Sequence, residues 1–214
     1  MKITKLGHCC LVVEEKGIRI LTDPGAYSDA PNEVKNIDIV LITHEHQDHL
    51  HVESLKKVIA NNPEVRIFTN SGVAKILDKE GIKYELLEDT QSITVKDILI
   101  KGFGTMHADI YKTIVPVVNT GYFIQNRFFY PGDALYDPKK KIEILALPVA
   151  GPWMKLSEAI DYAKKLKPEK CFPVHEGMLR EDRLGPVHRI PAQELGKVGI
   201  EFTSLLSGGE IDYK

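Results

Sequence analysis

The chain has 214 residues, 43% hydrophobic and 27% charged, which suits one domain with a substantial core, or two closely packed halves. Its net charge of −2 offers no basic excess of the kind that accompanies nucleic-acid or anionic-membrane binding. Cys9, Cys10 and Cys171 are too few, and odd in number, for a disulfide framework. Together with an N-terminus lacking a signal-peptide pattern and the lack of any bilayer-length apolar run, they lead us to expect a cytoplasmic protein with no membrane span.

Alternating and apolar stretches predict strands over 3–6, 10–14 and 18–22, with Gly17 turning the second into the third. Cys9 and Cys10 are expected to alternate faces, so that at most one points inward, and both read as packing residues. Asp23-Pro24-Gly25 breaks the chain, and the apolar run 37–43 suits a strand buried on both faces. Val52, Leu55, Val58 and Ile59 share one face of a helix predicted over 51–61. A strand at 65–69 leads to a helix reaching about Lys79, with Ser71 as its expected cap and Gly81 beyond its end.

Further strands are predicted at 84–87, 92–95, 98–103, 115–124 and 128–130, with a hairpin turn at Gln125-Asn126. An apolar run over 142–148, a helix over 156–166, a strand over 170–174, a helix over 192–197 and a strand over 200–204 complete the chain. No linker or repeat interrupts this order, so the expected architecture is α/β, two packed sheets with helices outside, as one domain over 1–214.

The most informative segment is Thr43-His44-Glu45-His46-Gln47-Asp48-His49, with three histidines and two acids between His44 and His49. Imidazole and carboxylate are the donors that zinc, manganese and iron take, and a strand end is a rigid place to hold them. The plainer alternative is a polar loop, with Asp48 capping the helix that follows.

His-x-His-x-Asp-His after a buried strand resembles the signature of the metallo-β-lactamase superfamily. The resemblance implies a four-layer αββα sandwich with a two-metal site, and it continues in order along the chain. Asp23 ends Ile20-Leu21-Thr22, His107 follows the strand at 98–103, Tyr130-Pro131-Gly132-Asp133 contains a Gly-Asp pair, and His175 ends Pro173-Val174. The resemblance implies that His44, His46 and His107 hold one metal and Asp48, His49 and His175 the other. Asp133 then bridges them, and Asp23 lies beneath the site, hydrogen-bonding a ligand. Gly7-His8-Cys9-Cys10 followed by Ile-Leu-Thr-Asp-Pro is similar to the ascorbate-6-phosphate-lactonase-like branch, in which the early histidine lies near the metals. His8 and Asp48 are accordingly candidate catalytic residues.

The function so implied is hydrolysis of a small-molecule lactone, ester, amide or phosphoester by hydroxide activated between two divalent ions, zinc first, with manganese or iron also suitable. A homo-oligomer is compatible with it. A nuclease of the same superfamily and a non-catalytic metal-binding protein are the alternatives, the former disfavoured by the absence of a basic stripe. The loops at 109–113, 151–153 and 177–189 are candidates for substrate contact, the last carrying Arg180, Arg183, His188 and Arg189.

Overall fold

β1 (Lys2–Gly7), β2 (Cys10–Glu15) and β3 (Ile18–Thr22) form an antiparallel meander in which Lys16 and Gly17 supply the left-handed backbone of the second turn. The structure, a computed structural model, describes residues 1–28 and 30–214, and the side chains of all of these except Ala30 and Pro31. After β3 the pairing becomes parallel: β4 (Ile39–Leu41), α1 (Val52–Asn61), β5 (Arg66–Thr69), α2 (Ser71–Lys79) and β6 (Glu85–Leu86).

The second sheet repeats this plan. β7 (Ser92–Val95), β8 (Ile98–Phe103), β9 (Gly121–Ile124) and β10 (Phe128–Tyr130) are antiparallel, with Gln125 and Asn126 both at positive φ in the expected hairpin turn. β11 (Ile144–Pro148), α3 (Leu156–Leu166), β12 (Lys170–Val174), α4 (Gly185–Gly196) and β13 (Glu201–Phe202) add parallel strands, and β14 (Glu210–Asp212) crosses back to pair with β1. The sheets run β14-β1-β2-β3-β4-β5-β6 and β13-β12-β11-β10-β9-β8-β7.

Three apolar clusters define the layers. Ile20, Leu41, Phe68, Tyr122, Phe128 and Phe172 lie in the cluster between the sheets. Leu55, Val58, Val73 and Leu77 pack α1 and α2 on the outer face of the first sheet, while Ala159, Ala163 and Leu195 pack α3 and α4 on that of the second. The result is the αββα sandwich. Among the described residues, no helix is long and apolar enough to cross a membrane.

Several local expectations are corrected by this packing. Cys9 and Cys10 do alternate faces, but both are buried, because each sheet is covered on both sides. The expected strand over 115–124 begins only at Gly121. Pro116 has no N–H to donate, and the donors of the preceding loop go elsewhere, Asn119 to Thr105 O and Thr120 to Thr43 O. The cap of α2 is Asn70, whose side chain accepts from Gly72 and Val73, rather than Ser71. α4 begins well before Ala192, carrying Pro191 in its interior and a proline at its N-terminal end, where a missing N–H costs least.

Candidate metal centre

Parallel strands end at the same sheet edge, and the candidate ligands occupy those ends. Asp23 follows β3, His44 follows β4 by a short step, His107 follows β8, Asp133 follows β10 and His175 follows β12. The pairing of β4 stops where the Thr43 N–H turns away to Asp23 Oδ1 at 2.8 Å. The chain then folds on itself, with the His49 and Leu50 amides donating to His46 O. Gly25 is required beside this turn, since a Cβ there would lie 1.8 Å from the Asp48 carbonyl oxygen. The helix that follows has His51 as its cap, leaving Asp48 free to face the site.

The side chains gather into two groups whose donor atoms lie within 4.8 Å of one another: His44, His46 and His107, and Asp48, His49 and His175 with His8. Asp133 touches both. Its Oδ2 is 2.7 Å from His175 Nε2 and 3.3 Å from His107 Nε2, and its Oδ1 is 3.1 Å from His49 Nε2. Cys9 also lies within 4.8 Å of His49 and Asp133, and burial pushes its thiol well up.

The ring orientations are fixed from behind. His49 Nδ1 donates to Asp23 Oδ2 at 2.7 Å, His107 Nδ1 to Ala108 O at 2.6 Å, and His175 Nδ1 to Ala150 O at 2.7 Å. The Thr43 hydroxyl donates to Asp23 Oδ2 at 2.7 Å, which leaves its oxygen to accept from His44 Nδ1 at 3.0 Å. Each of these four rings therefore carries its proton on Nδ1 and turns the Nε2 lone pair inward. All four Nε2 atoms, and Asp133 Oδ1, are buried without a hydrogen-bond partner among the described residues. Orphaned polar atoms are rare in protein interiors, and such a convergence suits cations. The donor set fits divalent metal.

The electrostatics agree. Burial opposes ionisation of Asp133, yet the His49 and His175 rings outweigh it and hold its carboxyl well below the usual range. Burial likewise disfavours Asp48 as an anion, and the His8 hydrogen bond and neighbouring rings still bring it down to about 2. Burial drives His44 well below the ordinary histidine value, keeping it a neutral donor. Burial opposes a charge on His49, but Asp133 and Asp23 outweigh it and raise the ring well above the ordinary histidine value, so the buried carboxylates draw positive charge to this point.

Other residues of the site were not legible as such. Trp153, expected in a substrate loop, is buried and donates from Nε1 to Asp133 Oδ2 at 2.8 Å. Tyr130 donates its hydroxyl to Asp23 Oδ2 in a short contact. Asn119 accepts the Asp133 N–H at 3.1 Å, and Asn70 donates to Thr43 O at 2.7 Å. Lys5 is buried against Glu176, the neighbour of His175, and its Nζ also donates to Pro173 O at 2.8 Å. The alternation from Ile3 already places Lys5 on the inward face, which is the sequence signal that could have found it. Arg180 and Arg183 face Asp182 instead of the centre, and His188 is buried 3.5 Å from Glu176.

Comparisons with known proteins agree with this fold. The Beta-lactamase superfamily domain family matches residues 2–175. A Mycobacterium tuberculosis protein is 31% identical over 190 residues, covering 86% of this chain and 88% of its own. A UPF0173 metal-dependent hydrolase of Methanocaldococcus jannaschii is 27% identical, covering 81% and 83%. The solved structure of Igni18, a metallo hydrolase of Ignicoccus hospitalis, superposes with a TM-score of 0.76 over 100% of this chain and 99% of its own, at 20% identity, a likeness of fold. On the family match and the 31% identity, this chain belongs to the β-lactamase superfamily.

Proposed function

We propose that this metal-dependent hydrolase works through a two-metal centre, with His44, His46 and His107 holding one ion, Asp48, His49 and His175 the other, and Asp133 between them. The observation that carries the proposal is the convergence of four buried Nε2 atoms and Asp133 Oδ1, all without hydrogen-bond partners among the described residues. Two divalent cations, zinc by preference with manganese or iron also suited to these donors, would lower the pKa of a coordinated water to roughly 7 and polarise the oxygen under attack.

The chain's own part is to hold the donors still. Asp23, Ala108 O, Ala150 O and Thr43 keep the ring protons on Nδ1. Trp153 and Asn119 fix Asp133 through its carboxylate and its backbone. Asp48, at 19% exposure the most accessible carboxylate of the centre, is placed to return a proton to a leaving group.

The substrate we infer is a small molecule carrying a lactone, ester, amide or phosphoester bond. The Gly-His-Cys-Cys start favours relatives of the ascorbate-6-phosphate-lactonase-like branch. Exposed Tyr27, Met106 and Met178 flank His8, His107 and His175 in the chain or in space, so a substrate screen needs acyl as well as anionic compounds. Elemental analysis of the wild type and of His46→Ala tests the proposal. Near two metals per chain in the wild type, falling in the variant, is expected. No metal in either after reconstitution with zinc, manganese or iron overturns it.

A further inference from the structure

His8 belongs to the second group by distance alone, since its ring shares the 4.8 Å cluster with Asp48, His49 and His175. Its hydrogen bonds say otherwise. His44, His49, His107 and His175 each present Nδ1 to an acceptor, and their Nε2 atoms are left orphaned. The arrangement at His8 is reversed: the backbone N–H of Gly177 donates to its Nδ1 at 3.0 Å. An atom that accepts from an N–H carries no proton of its own, so the ring proton sits on Nε2. That Nε2 is 3.2 Å from Asp48 Oδ2, a carboxylate oxygen that can only accept. A ring nitrogen bearing a proton has no lone pair left for a metal.

The backbone enforces this arrangement. His8 stands at φ 44, in the left-handed region that a non-glycine residue occupies at a cost. The His175 N–H reaches the His8 carbonyl at 3.4 Å, so the tip of the β1–β2 hairpin is laced to the segment that carries the last candidate ligand. Gly177 lies so close that a Cβ there would be 2.8 Å from His8 Cβ and 2.9 Å from Nδ1. The donor N–H can approach the ring only because residue 177 has no side chain.

We propose that Gly177 locks His8 in the Nε2–H form, and that His8 is a positioning residue which orients Asp48 by donating to it, not a metal ligand. The proposal rests on the two-metal reading for the role of Asp48, but the tautomer stands apart from it. One group of ligands is then Asp48, His49 and His175 with Asp133, and His8 braces the Asp48 carboxylate through Oδ2.

The test is a long-range ¹H–¹⁵N spectrum of the whole chain with ¹⁵N-labelled histidine, metal-free and zinc-loaded. The spectrum of His8→Gln identifies the His8 signals. A proton on His8 Nε2 in both states, with Nδ1–H in the rings that respond to zinc, is expected. A proton on Nδ1, or a His8 Nε2 signal displaced by direct zinc coordination, overturns the proposal. If zinc moves none of the histidine signals, the two-metal reading fails, and the metal-free spectrum still decides the tautomer. Zinc titration then separates donor from ligand. His8→Leu weakens the second zinc ~10-fold, and His8→Gln, whose amide N–H can stand in for Nε2–H, stays within about threefold of wild type. Equal losses in two variants that melt like wild type overturn the positioning role.

Discussion

The two groups of candidate ligands are supported in different ways. In the first, the anchors are chain neighbours: Thr43 holds His44, the Ala108 carbonyl holds His107, and His46 has no side-chain hydrogen bond among the described residues. In the second, each anchor comes from far along the chain: Asp23 for His49, Ala150 for His175 and His8 for Asp48. A locally anchored group keeps its shape wherever its segment keeps its turn. A remotely anchored one needs separate strand ends of a sheet set side by side. Asp133 and the Asp23–Thr43 pair couple the two.

Asp133→Ala breaks the comparison altogether, because it removes the one side chain common to both groups. Elemental analysis is expected to show loss of both metals, with a fall in hydrolysis beyond the ~100-fold typical of losing an outer partner. An unchanged metal content would mean that Asp133 merely accepts from Trp153.

His46→Ala is confined to the first group. Its half-buried ring has no anchoring hydrogen bond to lose, so the metal-free protein is expected to melt at the wild-type temperature while one metal is lost. Calorimetry of the stripped variant checks this, and a large drop in its melting temperature would make His46 a structural residue.

Asp23→Asn reaches mainly the second group. An amide cannot replace a buried carboxylate that accepts from Thr43, His49 and Tyr130 together, so metal affinity there is expected to fall ~10–100-fold. At least one of those buried donors is left unsatisfied, and chemical denaturation of the metal-free variant should show a loss of about 1–3 kcal/mol. Equal weakening of both metals would show the two groups to be one unit.

Trp153→Phe is the mildest change. It keeps the packing against His107 and His175 but removes the N–H to Asp133, so competitive zinc titration should show weakening of less than about tenfold. No change would mean that the bond to Asp133 is incidental.

The same division explains what could be read in advance. The segment from His44 to His49 was legible because its donors are adjacent in the chain and follow a buried strand. Trp153 gave no comparable signal: a tryptophan after Gly151-Pro152 is as consistent with a surface loop as with a partner of Asp133. The positive-φ turn at Gln125 and Asn126 is a local preference and was anticipated, whereas the irregular backbone over 115–120 was not. There β-branched residues argue for a strand, and hydrogen bonds to Thr43 and Thr105 override them.

Strand and helix order, the layered class and the residue types of the centre are readable along the chain, because hydrophobic period and ligand chemistry are properties of short segments. Which nitrogen of each ring faces inward is settled by the folded chain alone. That choice depends on a donor or acceptor brought from another strand end: Asp23 behind His49, Ala150 behind His175, and Gly177 behind His8. Chain order carries no information about such partners until strands far apart in sequence have paired and, for Gly177 and His8, the two sheets have packed.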